Sequence, residues 1–177
     1  STVGLYPPKK RIISGCKLLR KMSTADPLLQ PFQLKHLRLK NRIISTSHEP
    51  AYSEDGLPKE RYRLYHEEKA KGGIAMTMFG GSTLVAPDSP PVFGNLYAGN
   101  DIIIPHFQEM ADSVHKHGAA LMCQITHLGR RSVSNAGDWL PIVAPSCVRE
   151  EVHRGFPKIM EESDIRRIVK AYGAAAK

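Results

Sequence analysis

Three short apolar runs, each followed by a segment that predicts a helix, constrain the fold of this chain more than any other feature. The runs are too short for helices and suit buried strands, and they cover residues 42–46, 74–79 and 119–125. The predicted helices follow them over residues 59–71, 104–117 and 163–172. Strands that are apolar on both faces and alternate with helices indicate a parallel sheet of right-handed βαβ units.

Two observations favour a barrel over an open, doubly wound sheet. No Gly-x-Gly-x-x-Gly motif follows the first strand, and the polar, Gly- and His-containing segments follow the carboxyl ends of the strands, where barrel enzymes place their sites. Residues 26–40 are predicted to be a capping piece that precedes the first strand. We expect an α/β fold, the N-terminal portion (about three βα units) of a (β/α)8 TIM barrel, which is incomplete because no strand follows the last helix.

The net charge of +8 is concentrated in a predicted leader, residues 1–22. The leader has no acidic residue and six basic ones, Lys9, Lys10, Arg11, Lys17, Arg20 and Lys21. Residues 23–177, the expected barrel half, have 19 basic and 17 acidic residues and a net charge of only +2. Such a balanced body argues against a nucleic-acid partner.

Three interpretations of the leader stay open. Basic, acid-poor segments are typical of organelle-targeting peptides, and also of arms that bind nucleic acid or a membrane surface. The third interpretation is that the leader lies upstream of the natural start and that Met22 begins the protein. In each case we expect residues 1–22 to be disordered or not to belong to the domain.

Cysteine and histidine patterns do not support a disulfide scaffold or a metal site. The three cysteines, Cys16, Cys123 and Cys147, form no Cys-x-x-Cys pair. His115 and His117 are two residues apart on a predicted helix, which separates them by about 200° around its axis. No run approaches the roughly 20 apolar residues of a membrane span. We therefore expect no metal, no membrane partner and a cytoplasmic location.

Polar residues that end the third strand are the first candidates for a site. Gln124 follows an apolar run, and a carboxamide buried there needs a partner, which is either the backbone or a ligand with an N–H and a carbonyl on a planar ring. His127 and Arg130 follow it and add an imidazole and a guanidinium group at the same end of the predicted barrel.

The ends of the first two strands also bear candidate residues, each with a purely structural alternative. His48 beside Glu49 is more often a hydrogen-bonded pair than a catalytic one, although its place after a barrel strand favours function. Gly80 and Gly81 permit close approach of the backbone to a ligand, but they also suit an ordinary tight turn.

Residues 26–177 resemble the old yellow enzyme family of FMN-dependent NADH:flavin oxidoreductases. The segments that support the resemblance are Pro31-Phe32, Leu39-Lys40-Asn41-Arg42, His115-Lys116-His117-Gly118, Gln124-Ile125-Thr126-His127-Leu128-Gly129-Arg130, Val143-Ala144-Pro145-Ser146 and Asp164-Ile165-Arg166-Arg167-Ile168-Val169. The branch with 2,4-dienoyl-CoA reductase, trimethylamine dehydrogenase and N-methylproline demethylase is most similar. Residues 47–52 resemble its amine-demethylating members.

The resemblance implies a flavin site. Its cofactor-binding residues would be Thr46, Ser47, His48, Glu49, Gly80 and Gln124, and its substrate-binding residues His127 and Arg130. Gln124 would bond to the pyrimidine side of the isoalloxazine ring. Glu49 stands where trimethylamine dehydrogenase has the Cys that attaches its FMN, so the resemblance implies non-covalent FMN.

The resemblance also implies hydride transfer from NAD(P)H, or from an N-methyl amine, to flavin and then to an alkene or another small-molecule acceptor. The family's catalytic residues and phosphate loops are expected beyond Lys177, so we expect the chain alone to bind FMN weakly or not at all and to have little activity. A non-catalytic half-barrel that acts only with a partner half is the alternative, and a homo-oligomer is compatible with either.

Overall fold

The computed structural model describes residues 26–132 and 140–177, so the predicted leader, residues 1–22, lies outside the described residues. The strands of the described residues are β1 (Phe32–Leu34), β2 (Leu37–Leu39), β3 (Ile44–Ser45), β4 (Met76–Leu84), β5 (Ala120–Thr126), β6 (Val143–Ala144) and β7 (Lys158–Ile159). The helices are α1 (Glu60–Lys71), α2 (Ile104–His115) and α3 (Glu162–Ala175). The predicted alternation of strands and helices is confirmed.

The strands β3, β4 and β5 form a parallel sheet in that order. Ile44 pairs with Met76, and Met76 pairs with Ala120, so the three strands begin level with one another. Because they are parallel, their carboxyl ends lie at one edge of the sheet. The residues that follow β3 and β5 are therefore brought together there.

The prediction that Gly80 and Gly81 close the second strand is wrong. β4 continues through both glycines to Leu84, and its pairing with β5 changes register between Phe79 and Thr83. Gly80 has a φ of 89°, a left-handed conformation that a glycine adopts without strain. The two glycines therefore form a bulge inside the strand, a conformation that their sequence does not distinguish from a turn.

The helices α1 and α2 cover one face of the sheet with an aromatic and aliphatic core. Its buried members are Tyr62, Phe79, Leu96, Ile103 and Met110. Tyr62 and His66, one turn apart on α1, are both fully buried, and their rings stack with centroids 5.4 Å apart. Positions three and four residues apart thus form the buried faces of α1 and α2, and these faces include the polar residues His66 and Ser113.

The β1–β2 hairpin caps the amino ends of the strands, as predicted for residues 26–40. Leu39 of the hairpin packs on Ala75 and Met76 at the start of β4. Asn41 fixes the exit from the hairpin, because its side chain donates to the carbonyl of Gly73 at 2.8 Å and accepts from the amide of Ile43 at 3.0 Å. These contacts close the end of the sheet opposite to the predicted site.

The helix α3 begins at Glu162, one residue before its predicted start at residue 163. Glu161 is the cap, and Asp164 completes a reciprocal capping box by accepting from the Glu161 amide at 3.0 Å. A glutamate is an uncommon cap, which is why the pattern of preferred cap residues misplaced the boundary.

The second face of the sheet has apolar side chains in contact with solvent. Ile44 is 44% exposed and Met122 is 39% exposed. Within the described residues, no helix is long and apolar enough to cross a membrane.

The buried His66 makes the stability of the fold depend on pH. Its Nδ1 lies 2.8 Å from the hydroxyl of Thr77, and burial, with a smaller contribution from Lys69, lowers the pKa of His66 to about 4. The unfolded chain binds the proton more tightly, so the free energy of unfolding should fall by about 3 kcal/mol from this group as the pH decreases from 6.5 to 4.

His66→Asn removes the titrating group and keeps a polar atom near Thr77. The free energy of unfolding of wild type minus that of the variant, measured by urea denaturation, should increase as the pH rises from 4 to 6.5. A difference that is constant over this range would contradict the buried, neutral imidazole.

Candidate functional site

Ser47 and Gln124 meet at the carboxyl edge of the sheet, although they are 77 residues apart. The hydroxyl of Ser47 donates to Oε1 of Gln124. Gln124 is exposed, contrary to the expected burial of its carboxamide, and its partner is a side chain. Because Oε1 is occupied, the Nε2 amide group is left as a donor toward solvent.

Glu49 has one satisfied and one unsatisfied carboxyl oxygen. Oε1 accepts from the amide of Ala51 at 3.1 Å, whereas Oε2 is buried without a hydrogen-bond partner among the described residues. Burial raises the pKa of Glu49 to about 7, although the bond from Ala51 acts in the opposite direction. Ala51 has a φ of 56°, so the turn after β3 is strained.

The bulge of β4 lies directly against this turn. A Cβ placed on Gly81 would lie 2.5 Å from the amide nitrogen of Glu49, and one placed on Gly80 would overlap the hydroxyl of Thr83. The close approach predicted for these glycines is therefore explained first by packing of the chain against itself.

The other predicted cofactor residues lie at the same edge. Thr46 and His48 flank Ser47 on the segment that follows β3, and both are exposed. The structure thus brings together the ends of all three strands, as the sequence predicts. The individual contacts of Thr46 and His48 with a ligand stay predictions.

The two predicted substrate-binding residues have different environments. The side chain of His127 is only 6% exposed, and its Nδ1 accepts from the amide of Gly129 at 3.1 Å while Nε2 lies 3.2 Å from Asp88. Arg130 is exposed and lines a cavity of about 530 Å³ together with Arg131 and Tyr172. His127 lines the same cavity but is mostly buried, whereas Arg130 is exposed to solvent.

Asp88 organises this part of the site and was not found from the sequence, which predicts only a Pro-rich loop there. It is 4% exposed and accepts two hydrogen bonds from Arg167 of α3, at 2.9 and 2.8 Å. Burial alone would raise its pKa, but Arg167 and His127 bring the pKa of Asp88 below its usual value. The neighbouring Ser89 accepts from the amide of Leu128 at 2.8 Å.

These residues fit the polar edge of a flavin. The donor at Gln124 Nε2 and the paired hydroxyl of Ser47 suit the alternating carbonyl and N–H groups of a planar ring, and the glycines leave the bulge without side chains. Across residues 26–132 and 140–177, no group of three or more His, Cys, Asp or Glu side chains is placed to hold a metal ion.

Comparison with known protein families yields a match over most of the chain. A model of the NADH:flavin oxidoreductase / NADH oxidase family matches residues 27–177.

Two curated relatives are similar over most of this chain. The probable N-methylproline demethylase of Rhizobium meliloti (strain 1021) is 62% identical over 151 residues, which are 85% of this chain and 22% of the relative. The multifunctional alkene reductase/demethylase OYE of Caballeronia cordobensis is 54% identical over 155 residues, which are 88% of this chain and 23% of the relative. The chain thus spans less than a quarter of the length of these relatives.

Solved structures show the same fold. The structure of morphinone reductase in complex with tetrahydroNAD matches with a TM-score of 0.78 and 23% identity, over 85% of this chain and 45% of the reductase. The predicted fold class is confirmed, since the chain folds as the N-terminal portion of a (β/α)8 barrel.

The pair formed by Asp88 and Arg167 should stabilise the fold measurably. Arg167→Gln leaves a buried carboxylate without its bidentate partner and should lower the free energy of unfolding by about 2 kcal/mol, less than for a fully buried pair because Arg167 is 44% exposed. Arg166→Gln is the matched control, since its pair with Glu162 is 77% exposed on both sides and should change stability by less than about 0.5 kcal/mol. If Arg167→Gln and Arg166→Gln lowered the free energy of unfolding equally in urea denaturation, the stabilising role of the pair formed by Asp88 and Arg167 would be contradicted.

Glu49 should give a pH dependence opposite in sign to that of His66. The folded state binds the proton of Glu49 more tightly than the unfolded chain, so this group decreases stability as the pH rises from 4.5 to about 7. Glu49→Gln should therefore become progressively more stable than wild type over this range, as followed by thermal unfolding. A stability difference independent of pH would show that the carboxyl group has its ordinary pKa.

Proposed function

The chain belongs to the NADH:flavin oxidoreductase / NADH oxidase family, and we propose that it provides part of the FMN site of an oxidoreductase that demethylates N-methyl amines. The observation on which this depends is the meeting of Ser47 and Gln124 at the carboxyl edge of a parallel sheet. The names of the two curated relatives, a demethylase and an alkene reductase/demethylase, favour the amine as substrate.

Each residue at this edge would make a different contribution to FMN binding. Gln124 would donate from Nε2 to a ring carbonyl, and Ser47 would hold the carboxamide in the required orientation. Gly80 would offer an edge without a side chain. Glu49 has no thiol to form a covalent bond, so the cofactor is bound non-covalently.

The cofactor supplies a reversible hydride acceptor, while the protein supplies binding and orientation. In the proposed reaction, the N-methyl carbon would lose a hydride to the flavin, and the amine would become an iminium ion. Water would then hydrolyse the iminium ion to formaldehyde and the demethylated amine, with release of a proton. NAD(P)H as reductant and an activated alkene as acceptor form the second proposed reaction, which the alkene reductase name of one relative favours.

FMN binding to the chain tests the proposal. The proposal requires measurable binding, even if it is weak, so the titration is followed by NMR shifts of the 15N-labelled chain with millimolar FMN. Gln124→Leu should raise the dissociation constant about tenfold, corresponding to one lost polar contact of roughly 1.4 kcal/mol.

The matched control is Gln108→Leu, since Gln108 is also exposed and its side chain, among the described residues, donates to Asp112 of its own helix at 2.9 Å. Its FMN affinity should equal that of wild type. The cofactor site would be disproved if FMN shifted no resonance near Ser47 and Gln124, or if both variants bound FMN equally.

A further inference from the structure

The bulge in β4 places three residues of one strand opposite a single residue of the next. Phe79 pairs with Cys123 and Thr83 pairs with Ile125, so residues 80–82 lie opposite Gln124 alone. A Cβ on Gly80 would be 3.1 Å from the carbonyl oxygen of Gln124. The conformation of the bulge therefore determines what lies beside the backbone of Gln124, whose side-chain carboxamide is predicted to bind flavin.

Two buried side chains bind the backbone of the bulge at both polar groups of Gly80. The amide of Gly80 donates to the hydroxyl of Tyr62 at 3.0 Å, and the hydroxyl of Thr83 donates to the carbonyl of Gly80 at 3.3 Å. Tyr62 and Thr83 are both fully buried. These side-chain bonds replace the backbone hydrogen bonds that a regular strand would make to its neighbour. Buried backbone groups need such partners.

Each of the two side chains is itself held rigidly. The ring of Tyr62 stacks on His66 and packs in the core with Phe79 and Met110, so α1 determines the position of its hydroxyl. Thr83 accepts a weak bond from the thiol of Cys123 at 3.6 Å, which ties it to β5. The bulge is thus fixed from the helix layer and from the neighbouring strand.

We propose that Tyr62 and Thr83 are positioning residues for the cofactor site, which hold the Gly80 peptide in one orientation beside Gln124. They touch neither cofactor nor substrate and act through the backbone of the bulge. The inference depends on the proposed function for the identity of the ligand. The positioning itself concerns only the bulge and is measurable without FMN.

Tyr62→Phe and Thr83→Val test the two bonds, and Thr83→Ser restores the hydroxyl as the conservative variant. In the 15N-labelled chain, hydrogen exchange of the Gly80 amide should accelerate at least tenfold in Tyr62→Phe. FMN, titrated by NMR, should bind about tenfold more weakly to Tyr62→Phe and Thr83→Val, and as in wild type to Thr83→Ser.

Val114→Ala is the control for a general loss of stability, since Val114 is buried between Ala70 and Ala119, apart from the bulge. It should lower the melting temperature without accelerating Gly80 exchange relative to neighbouring amides or changing FMN affinity. If Tyr62→Phe does not fold, the comparison of FMN affinity between Thr83→Val and Thr83→Ser tests the positioning role.

The outcomes separate the positioning role from the proposed function. Unchanged Gly80 exchange in Tyr62→Phe, or equal FMN affinity for Thr83→Val and Thr83→Ser, would overturn the positioning role. A wild type that FMN does not perturb would instead overturn the proposed function. In that case the rate of hydrogen exchange at the Gly80 amide would still show whether Tyr62 holds the bulge. The proposal that Tyr62 and Thr83 position a flavin site would be overturned together with the site.

Discussion

The common register of three parallel strands is the constraint on which the rest of the structure depends. Ile44, Met76 and Ala120 stand side by side at the start of β3, β4 and β5. From this alignment it follows that residues far apart in sequence, such as Ser47 and Gln124, reach the same edge. A slip of one residue in the last pairing would turn Gln124 toward the helices and leave Ser47 without its acceptor.

Polar groups within the helix layer make this arrangement specific. Apolar burial alone would hold α1 against β4 but would permit it to slide, since apolar contacts have little directionality. The bonds from His66 to Thr77 and from the Gly80 amide to Tyr62 are each satisfied in only one position of the helix. The position of α1 therefore determines the position of the strand end where the proposed cofactor binds.

The parts of the fold that depend on local patterns were predictable from sequence. The helix α2 and the strand β5 lie within two residues of their predicted ends, because periodicity and glycine endings specify them. The bulge at Gly80 was not predictable, since a pair of glycines suits a turn as well as a bulge. The buried role of Asp88 was not predictable, because its partner Arg167 is 79 residues away and no local pattern indicates that the two side chains meet.

That long separation has a consequence for the order in which the molecule forms during synthesis. A growing chain emerges from its amino end, so the three strands of the sheet are available before Arg167 leaves the ribosome. Until then Asp88 lacks its two bonds from Arg167, and it has His127, in the turn that follows β5, as a neighbour. A helix made near the end of this chain thus completes a region whose own residues were translated much earlier.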